Sequence, residues 1–465
     1  MSKKIENSDL SQRHYSNFTK GLRWCYAHRF DYIDYSDRMP ANIYVEGTGK
    51  LAESQGAMLK NFYHLFYDPE RLCLAQYNAQ KGKKDREEIR EFNEHITERL
   101  QELWEMLYYK TYVPGQYRVR TIHDPKERVL MIAPFFPDRI IHHDVIMVLG
   151  EHWQHIFIEN TYACIKGRGI HKCVEDVHRA LVIDRVGTRY CLKIDIRKFY
   201  DNVDHAALKR IIRYTIADPD VLWLLDTVID SNGSDKGLPI GNFTSQYLAN
   251  LYLSYLDHFI KEVLGVKYYY RYMDDMVILD GSKERLHWVL DMIGLYAGAE
   301  LKLEIKQNWQ IFPVDARGID YVGFKQNHYG ILLRKSILLR FYTKWRKTKD
   351  KYQIADEDDF KHLYSSEYGW IIRCSEEHSK FIFEKCINNG QQRTFEKGSA
   401  GRSTAGSDRG LAQRTGHSPL QPQHRGGAGE RGRGREPGNR DRSSRGHGHE
   451  VQVRCPAGGI SDYQE

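Results

Sequence analysis

Apolar residues recur at steps of three and four positions along residues 85–109, which is the spacing of one face of an α-helix. We predict a single helix from Asp85 to Tyr109, with Asp85 as its N-terminal cap because acidic residues are enriched in the first turn. The apolar face is formed by Ile89, Phe92, Ile96, Leu100, Leu103 and Leu107. Residues 139–185 are also expected to be mainly helical.

Three other segments have the patterns of β-strands. Tyr190–Ile196 alternates apolar and polar residues as a half-buried strand does, and it carries a carboxylate near its end. Tyr268–Leu279 contains two β-rich runs around Met273-Asp274-Asp275-Met276, which predicts a hairpin with acidic residues at its tip. Gln116–Ala133 predicts a strand, a turn at Asp124-Pro125 and a second strand. Strands and helices are interleaved, so the predicted fold class is α+β.

Two further regions have helical patterns. A glycine-containing loop, Gly237–Thr244, precedes a predicted helix whose apolar face includes Leu248, Leu251, Tyr255 and Phe259. From Arg334 to about Asn389 the pattern is again helical, and this region is rich in Lys, Arg, Trp and Tyr.

The ends of the chain differ from its middle. Residues 1–55 have no firm period and are expected to form an N-terminal extension. Residues 391–465 are dominated by Gly, Arg, Ser, His and Gln, and we predict that this tail is disordered because it has too few apolar side chains to form a core. The tail has 13 Lys+Arg against 8 Asp+Glu, so it supplies +5 of the +7 net charge. The nearly neutral body therefore needs a local basic patch to bind phosphates.

Composition also limits the compartment and the metal chemistry. No stretch approaches the roughly 18 consecutive apolar residues that span a bilayer, and the polar start lacks the apolar core of a signal peptide. We therefore expect a cytoplasmic protein with no membrane partner. The eight cysteines are scattered without a CxxC pair, which favours buried reduced thiols over a zinc site.

The carboxylates at the two predicted strand ends are candidates for metal chemistry. Phosphoryl transfer from a nucleoside triphosphate uses two Mg²⁺ ions roughly 3.5 to 4 Å apart, and such hard cations need oxygen ligands. A strand ending at Asp195 that faces a hairpin tip with Asp274 and Asp275 would bring three carboxylates together. Taken alone, a pair of aspartates at a turn is more often a residue choice that suits the turn.

The surrounding motifs resemble those of the reverse transcriptase family, in the same order, over roughly residues 56–330. Tyr272-Met273-Asp274-Asp275 is similar to the YxDD box, and Asp195-Ile196-Arg197-Lys198-Phe199-Tyr200 is similar to the first aspartate motif. The resemblance implies a right-hand polymerase fold with a palm sheet that carries the carboxylates. It implies fingers within residues 56–185, a palm within 186–330 and a short helical thumb within 331–390.

The resemblance also implies a cofactor and substrates. Two Mg²⁺ ions, or Mn²⁺ in their place, would be held by Asp195, the Ile196 backbone, Asp274 and Asp275. In this family the aromatic residue at Tyr200 excludes a ribose 2′-hydroxyl, which implies deoxynucleotide substrates. Without the motif, Tyr200 would be interpreted as a core aromatic residue.

Further residues are assigned by their place in the family's motifs. Lys126 and Arg128, in the fingers, are expected to bind the incoming triphosphate, although a solvated charge run is an equally good interpretation of Lys126 alone. Lys306 follows the palm helix, where the family has a lysine near the pyrophosphate. The candidate nucleic-acid contacts are Lys166, Gly167, Arg168, Tyr321, Gly323, Lys344 and Arg346. For the last two, a solvated basic face of an amphipathic helix is the competing interpretation.

The loop Gly237–Gln246 resembles one subfamily in particular. Intron-encoded and retron enzymes typically read Pro-Gln-Gly and Ser-Pro here, whereas this chain has Ile240 before the glycine and Gln246 after the serine. That pattern is similar to the reverse transcriptases of diversity-generating retroelements, and both residues are expected to lie near the nascent base pair. The resemblance implies error-prone copying of a template-repeat RNA, with errors at adenines, and a basic oligomeric accessory protein as partner.

Two other functions stay open at this point. The chain is alternatively a reverse transcriptase of a retron, group II-like or defence-associated class. It is also conceivable as a catalytically inactive RNA-binding scaffold, although the three carboxylates and Tyr200 favour an enzyme.

Overall fold

The computed structural model describes residues 59–123, 127–348 and 356–386, all within the first of two units of the chain, residues 1–387. The helices are α1 Pro69–Gln80, α2 Glu87–Glu94, α3 Ile96–Tyr108, α4 Ile140–Ile156, α5 Ile170–Ile183, α6 Phe199–Asn202, α7 His205–Ile212, α8 Pro219–Ile229, α9 Phe243–His258, α10 Lys283–Leu301, α11 Val314–Arg317, α12 Lys335–Thr348, α13 Glu357–Leu363 and α14 Ser365–Ile371, followed by a helix over residues 376–386. The strands are β1 Arg118–His123, β2 Glu127–Ile132, β3 Tyr190–Asp195, β4 Tyr268–Tyr272, β5 Asp275–Asp280, β6 Gln310–Pro313, β7 Ile319–Tyr321, β8 Phe324–Asn327 and β9 Gly330–Leu333. The mixed helix and strand content confirms the α+β prediction.

A four-stranded antiparallel sheet in the order β4-β5-β3-β6 carries the predicted carboxylates. Strand β3 pairs with β5 on one side and with β6 on the other. Strands β4 and β5 form the predicted hairpin, and Met273, in the left-handed region at φ 53°, stands at its tip. The strand predictions for these segments are confirmed.

Both faces of this sheet are covered, so β3 is more buried than its alternating pattern predicts. Leu192 and Ile194 pack into the large core, which also contains buried residues of α9 and α10. Cys191 and Val277 point to the opposite face, where they share a smaller core with Val177 of α5. The sheet is therefore covered by α9 and α10 on one face, and by α5 and residues of β7 on the other.

Two small sheets flank the central one. Strands β1 and β2 pair antiparallel in the register Ile122↔Arg128, which confirms the two predicted strands. The turn itself lies outside the described residues. Strands β7, β8 and β9 form a three-stranded antiparallel sheet.

The prediction of one helix from Asp85 to Tyr109 is wrong in two respects. The chain forms two helices, α2 and α3, separated at His95 (φ −121°, ψ 32°), and Arg86 rather than Asp85 is the N-cap residue of α2. The break lets α2 pack against residues Phe135–Arg139 while α3 packs against α1. Phe92 packs edge-on against Phe135, with ring centroids 5.2 Å apart.

The helices after β9 confirm the helical pattern predicted from Arg334 onward, within the residues described. Phe341, Tyr342 and Trp345 of α12 pack with Phe324 and Ile331 of strands β8 and β9 in one buried cluster. Strand β9 runs across the predicted palm–thumb boundary at residue 330. The helices therefore share their core with the small sheet that precedes them.

Other sequence predictions meet the structure only in part. The predictions for residues 1–55 and 391–465 lie outside the described residues. The described ranges contain six of the cysteines, all free thiols; five are buried as predicted, whereas Cys164 is partly exposed. No helix in the described ranges is long and apolar enough to cross a membrane.

Candidate active site

The end of β3 and the tip of the β4–β5 hairpin bring the predicted carboxylates to one edge of the central sheet. Asp195 and Asp275 are paired directly across the β3–β5 ladder. Directly paired residues of an antiparallel ladder have Cα atoms about 4.5–5.5 Å apart. Asp274 lies beside them at the tip, between Met273 and β5. Local strand pairing is thus sufficient to place all three acids together.

Proximity and burial disfavour the charged forms of Asp274 and Asp275. Burial, together with the neighbouring charge of Asp195, raises the pKa of Asp274 to about 6. Burial also raises the pKa of Asp275, which the ammonium of Lys193 opposes. Ionised carboxylates that are buried and repel one another are stabilised by a bound cation.

Two lysines supply part of the compensating charge. Lys306 forms an ion pair with Oδ2 of Asp195, and its backbone N–H donates to the Asp195 carbonyl at 2.9 Å. Lys193 lies 3.3 Å from Oδ2 of Asp275. Each lysine contacts one oxygen of its partner, and the other oxygen, Oδ1 in both aspartates, is buried without a hydrogen-bond partner.

Those two unpartnered oxygens fit a divalent cation. Buried carboxylate oxygens without donors are costly, and Mg²⁺ takes oxygen ligands of this kind. Within the described ranges, however, no group of three or more His, Cys, Asp or Glu side chains is already arranged to hold an ion. The backbone of Ile196 continues β3 through a bridge to Ile305 beside the same site.

Tyr200 lies next to the hairpin tip. It follows Lys198, whose left-handed backbone (φ 43°) ends the strand region and starts α6. The hydroxyl of Tyr200 donates to the sulfur of Met273 at 3.6 Å, and burial raises its pKa, so the phenol is neutral. The ring of Tyr200 therefore lies close to Asp274, the residue after Met273.

The glycine-containing loop joins the β1–β2 hairpin to the Tyr200 segment. The N–H of Leu238 donates to the Tyr200 carbonyl at 2.8 Å, and the N–H of Met131 in β2 donates to the Ile240 carbonyl at 3.1 Å. Gly241 has φ +131°, and a Cβ there would stand 2.8 Å from the Met131 carbonyl oxygen, so only glycine fits without a shift. Ile240 and Gln246 are both half-buried.

The family model for reverse transcriptase (RNA-dependent DNA polymerase) matches residues 89–325, which is slightly more than half of the 465-residue chain. The chain belongs to the reverse transcriptase family. The matched range includes the β1–β2 hairpin, the central sheet and all three carboxylates. A right-hand polymerase fold fits this membership.

This chain is similar to two curated proteins. It is 22% identical to the group II intron-encoded protein LtrA of Lactococcus lactis subsp. cremoris over 63% of this chain and 57% of the relative. It is 24% identical to protein YkfC of Escherichia coli over 39% of this chain and 46% of the relative. The chain thus spans about half the length of the curated relatives it matches.

Solved structures that are similar to this chain include fungal telomerases. Telomerase from Candida albicans in complex with a TWJ fragment of telomeric RNA has a TM-score of 0.39 and 12% identity, and the similarity covers 65% of this chain and 58% of the telomerase chain. Apo telomerase from Candida tropicalis has a TM-score of 0.38 and 13% identity, with 66% and 63% covered.

Sequence reasoning missed a buried network that supports the tip of the β4–β5 hairpin. Arg271 and Asp257 form an ion pair in which both side chains are fully buried. The hydroxyl of Tyr269 donates to Asp257 at 2.6 Å, and the guanidinium of Arg271 donates to Asn250 at 3.0 Å and to the Met273 carbonyl at 3.1 Å. The only signal in the sequence is a charged residue inside an otherwise aromatic, buried strand.

Two residues predicted to contact nucleic acid are buried instead. The side chain of Tyr321 is fully buried, and its hydroxyl donates to the main-chain carbonyl of Asp275 at 3.1 Å. Gly323 packs so closely against α14 that a Cβ would stand 2.5 Å from Trp370. These side-chain positions are unavailable to a primer. Val322 lies between them at the tip of the β7–β8 hairpin and is only half-buried.

Of the three predicted contact residues in the loop before α5, two are exposed and one is bonded within the protein. Lys166 and Gly167 are exposed in a turn closed by the Ile165–Arg168 bridge, and Gly167 has φ +76°. The guanidinium of Arg168 instead donates to the Ile158 carbonyl at 2.9 Å, so it holds the loop together.

Of the remaining predicted basic residues, Lys126 lies outside the described residues. Arg128 is exposed on β2. Lys344 of α12 is paired with Glu367 at 2.6 Å, whereas Arg346 is exposed on the same helix. Within the described residues, Arg128, Lys344 and Arg346 are not among the groups that contact the carboxylates.

Proposed function

We propose that this protein is an RNA-directed DNA polymerase that uses two Mg²⁺ ions, with Mn²⁺ as a substitute. The observation that carries the proposal is the pairing of Asp195 with Asp275 beside Asp274, each of the paired acids having one unpartnered oxygen. These three carboxylates and the Ile196 carbonyl would hold the ions. Bound ions of this kind activate the attacking primer hydroxyl and stabilise the leaving pyrophosphate.

The residues around the carboxylates would bind and select the deoxynucleotide. The ring of Tyr200, held beside Met273, would occupy the space that a ribose 2′-hydroxyl needs. Lys306, already at Asp195, would neutralise charge near the leaving phosphates, and Lys126 and Arg128 would contact the triphosphate from the fingers.

Template RNA and the RNA/DNA duplex would bind along exposed basic positions. Lys166 and Gly167 form an exposed turn before α5, and Arg346 is exposed on α12. Lys344 reaches the duplex only if it leaves Glu367. Contacts of this kind are electrostatic, so binding should weaken as salt rises.

Primer extension on a defined RNA template with the four deoxynucleotides tests the proposal. The full chain should extend the primer, and Asp274→Asn should reduce the rate by at least about 100-fold because an ion ligand is lost. Asp291→Asn, an exposed acid on α10, is the matched control and should keep the activity. RNA binding without extension by the unsubstituted protein would support the scaffold alternative.

We further propose that the enzyme belongs to the diversity-generating class. Ile240 cannot make the hydrogen bonds by which an amide side chain would sense the geometry of the nascent pair, so selectivity should fall. Gln246 lies on α9 after the same loop. The biological template would be a template-repeat RNA. Because the chain before residue 391 is nearly neutral, a basic oligomeric accessory protein would strengthen its binding to RNA.

Sequencing of the cDNA tests this assignment. Errors should concentrate opposite template adenines, and Ile240→Gln should reduce them. Unchanged adenine errors in Ile240→Gln would contradict the role of Ile240. The similarity to a group II intron-encoded protein favours a group II-like enzyme as second candidate, which predicts uniformly low error at all four bases.

A further inference from the structure

Lys193 is a charged residue in the middle of the catalytic strand. It lies two residues before Asp195 on β3, so both side chains leave the same face of the sheet. Its ladder partner is Val277, which makes Asp275 its diagonal neighbour on β5. The stem of Lys193 therefore runs along the face that carries the carboxylates.

The ammonium of Lys193 joins the carboxylates to the β7–β8 hairpin. It lies 3.3 Å from Oδ2 of Asp275 and donates to the main-chain carbonyl of Asp320 at 2.6 Å. It also lies 5.6 Å from the ring centroid of Tyr321, whose hydroxyl holds the Asp275 main chain. Asp275 is thus fixed through its side chain and through its backbone by neighbouring groups.

The same ammonium borders an open pocket. A pocket of about 290 Å³ is lined by Lys193, Asp195, Asp275, Asp320 and Arg334, among others. The Lys193 and Asp275 side chains keep 27% and 34% of their exposure. An ion pair this exposed contributes little to stability, typically less than about 1 kcal/mol. Stability alone is therefore a weak reason for the lysine.

We propose that Lys193 is a positioning residue for polymerisation, which holds Oδ2 of Asp275 against the β7–β8 hairpin and thereby directs Oδ1 toward the ion that Asp275 shares with Asp195. The inference rests on the proposed polymerase function. Lys306 holds Oδ2 of Asp195 in the matching way, so both unpartnered oxygens belong to side chains whose other oxygen is fixed. A fixed orientation matters because small displacements of a catalytic group cost much rate.

Three variants test this role. Lys193→Met keeps most of the stem but removes the ammonium, and Lys193→Arg keeps the charge and the donors. Lys267→Met is the control: Lys267 stands directly before β4, at the end away from the hairpin tip, and pairs with Asp184. Primer extension gives kcat and the deoxynucleotide KM. Electron paramagnetic resonance of Mn²⁺ with the protein alone gives metal affinity without turnover, and thermal unfolding reports the fold.

The positioning role predicts a separation of these measurements. Lys193→Met should lower kcat by about 10-fold or more with KM within about threefold. Its Mn²⁺ affinity should be equal or tighter, because the acids remain and a repelling charge is gone. Lys193→Arg should recover most of kcat, and Lys267→Met should match the unsubstituted protein.

Two results would overturn the role of Lys193 without affecting the proposed function. One is a Lys193→Met kcat within about threefold of the unsubstituted enzyme. The other is a loss of kcat that follows a loss of Mn²⁺ binding or of folded protein. If the unsubstituted protein extends no primer, the proposed function fails, and the inference fails with it.

Discussion

The guanidinium of Arg271 donates a hydrogen bond to the main-chain carbonyl of Met273, the residue directly before Asp274, at 3.1 Å. Met273 has a left-handed backbone that is uncommon for residues other than glycine. Arg271 is in turn fixed by Asp257, and both side chains are fully buried. The tip that carries the acids is thus supported from inside the protein.

Removal of Arg271 should therefore affect stability and activity together. Arg271→Met leaves Asp257 as a buried charge without its partner, and we expect it to lower the free energy of unfolding by about 3–5 kcal/mol. The loss of the bond to Met273 should also reduce primer extension by the protein that remains folded. Urea unfolding and extension at a temperature where the variant is folded measure the two effects.

A double variant separates the charge from the packing. Arg271→Met with Asp257→Leu removes both charges, so it should be more stable than Arg271→Met alone. Equal or lower stability of the double variant would contradict the interpretation that an unpaired Asp257 causes the loss.

The parts of the site that depend on local pattern could be predicted from the sequence. Asp195 and Asp274 were predicted together because a strand end and a hairpin tip are both short-range features. The burial of Tyr321 and Gly323 could not be predicted, because it depends on α5, on helices α12 and α14, and on the central sheet, most of which is distant in sequence. The break at His95 was missed for a similar reason: the apolar period continues through it, and only tertiary packing shows that the two halves face different neighbours.

Gly323 should tolerate no side chain. It has φ +94°, and a Cβ would stand 2.5 Å from Trp370 and 3.0 Å from Ile337. We expect Gly323→Ala to lower the free energy of unfolding by about 1–3 kcal/mol through overpacking and backbone strain. Urea unfolding followed by tryptophan fluorescence measures this loss.

Gly298 provides the matched control. It lies exposed in α10 with no atom within 4 Å of a Cβ position. Gly298→Ala should raise the free energy of unfolding by about 0.5–1 kcal/mol because alanine favours the helix. Similar effects of the two substitutions would contradict the packing of Gly323 against Trp370.

Tyr200 should control the choice of sugar. Tyr200→Ala removes the ring beside Met273 and should raise the kcat/KM for ribonucleotides relative to deoxynucleotides by on the order of 10- to 100-fold. Tyr200→Phe keeps the ring and loses only the hydroxyl, so it should keep the discrimination. Single-nucleotide extension with each sugar gives the ratio, and an equal change in both variants would show that the ring is not the selecting group.

Asp144 should make stability depend on pH. It lies in α4 among the buried residues, and its Oδ1 has no hydrogen-bond partner. Burial raises its pKa to about 8, partly opposed by Arg71 and reinforced by Asp68. In the unfolded chain the same carboxyl ionises near pH 3.9. Between these two pKa values, Asp144 is therefore protonated in the folded state and ionised in the unfolded state.

The sign of the effect follows from that difference. Stability from the raised pKa is fully present below about pH 4 and is lost as pH rises to about 8, at up to about 1.4 kcal/mol per pH unit. Asp144→Asn cannot ionise, so its free energy of unfolding relative to the unsubstituted protein should increase from pH 5 to pH 8 and then level off. Urea unfolding of both proteins at several pH values measures this difference, and a constant difference would show that Asp144 is ionised in the folded protein at neutral pH.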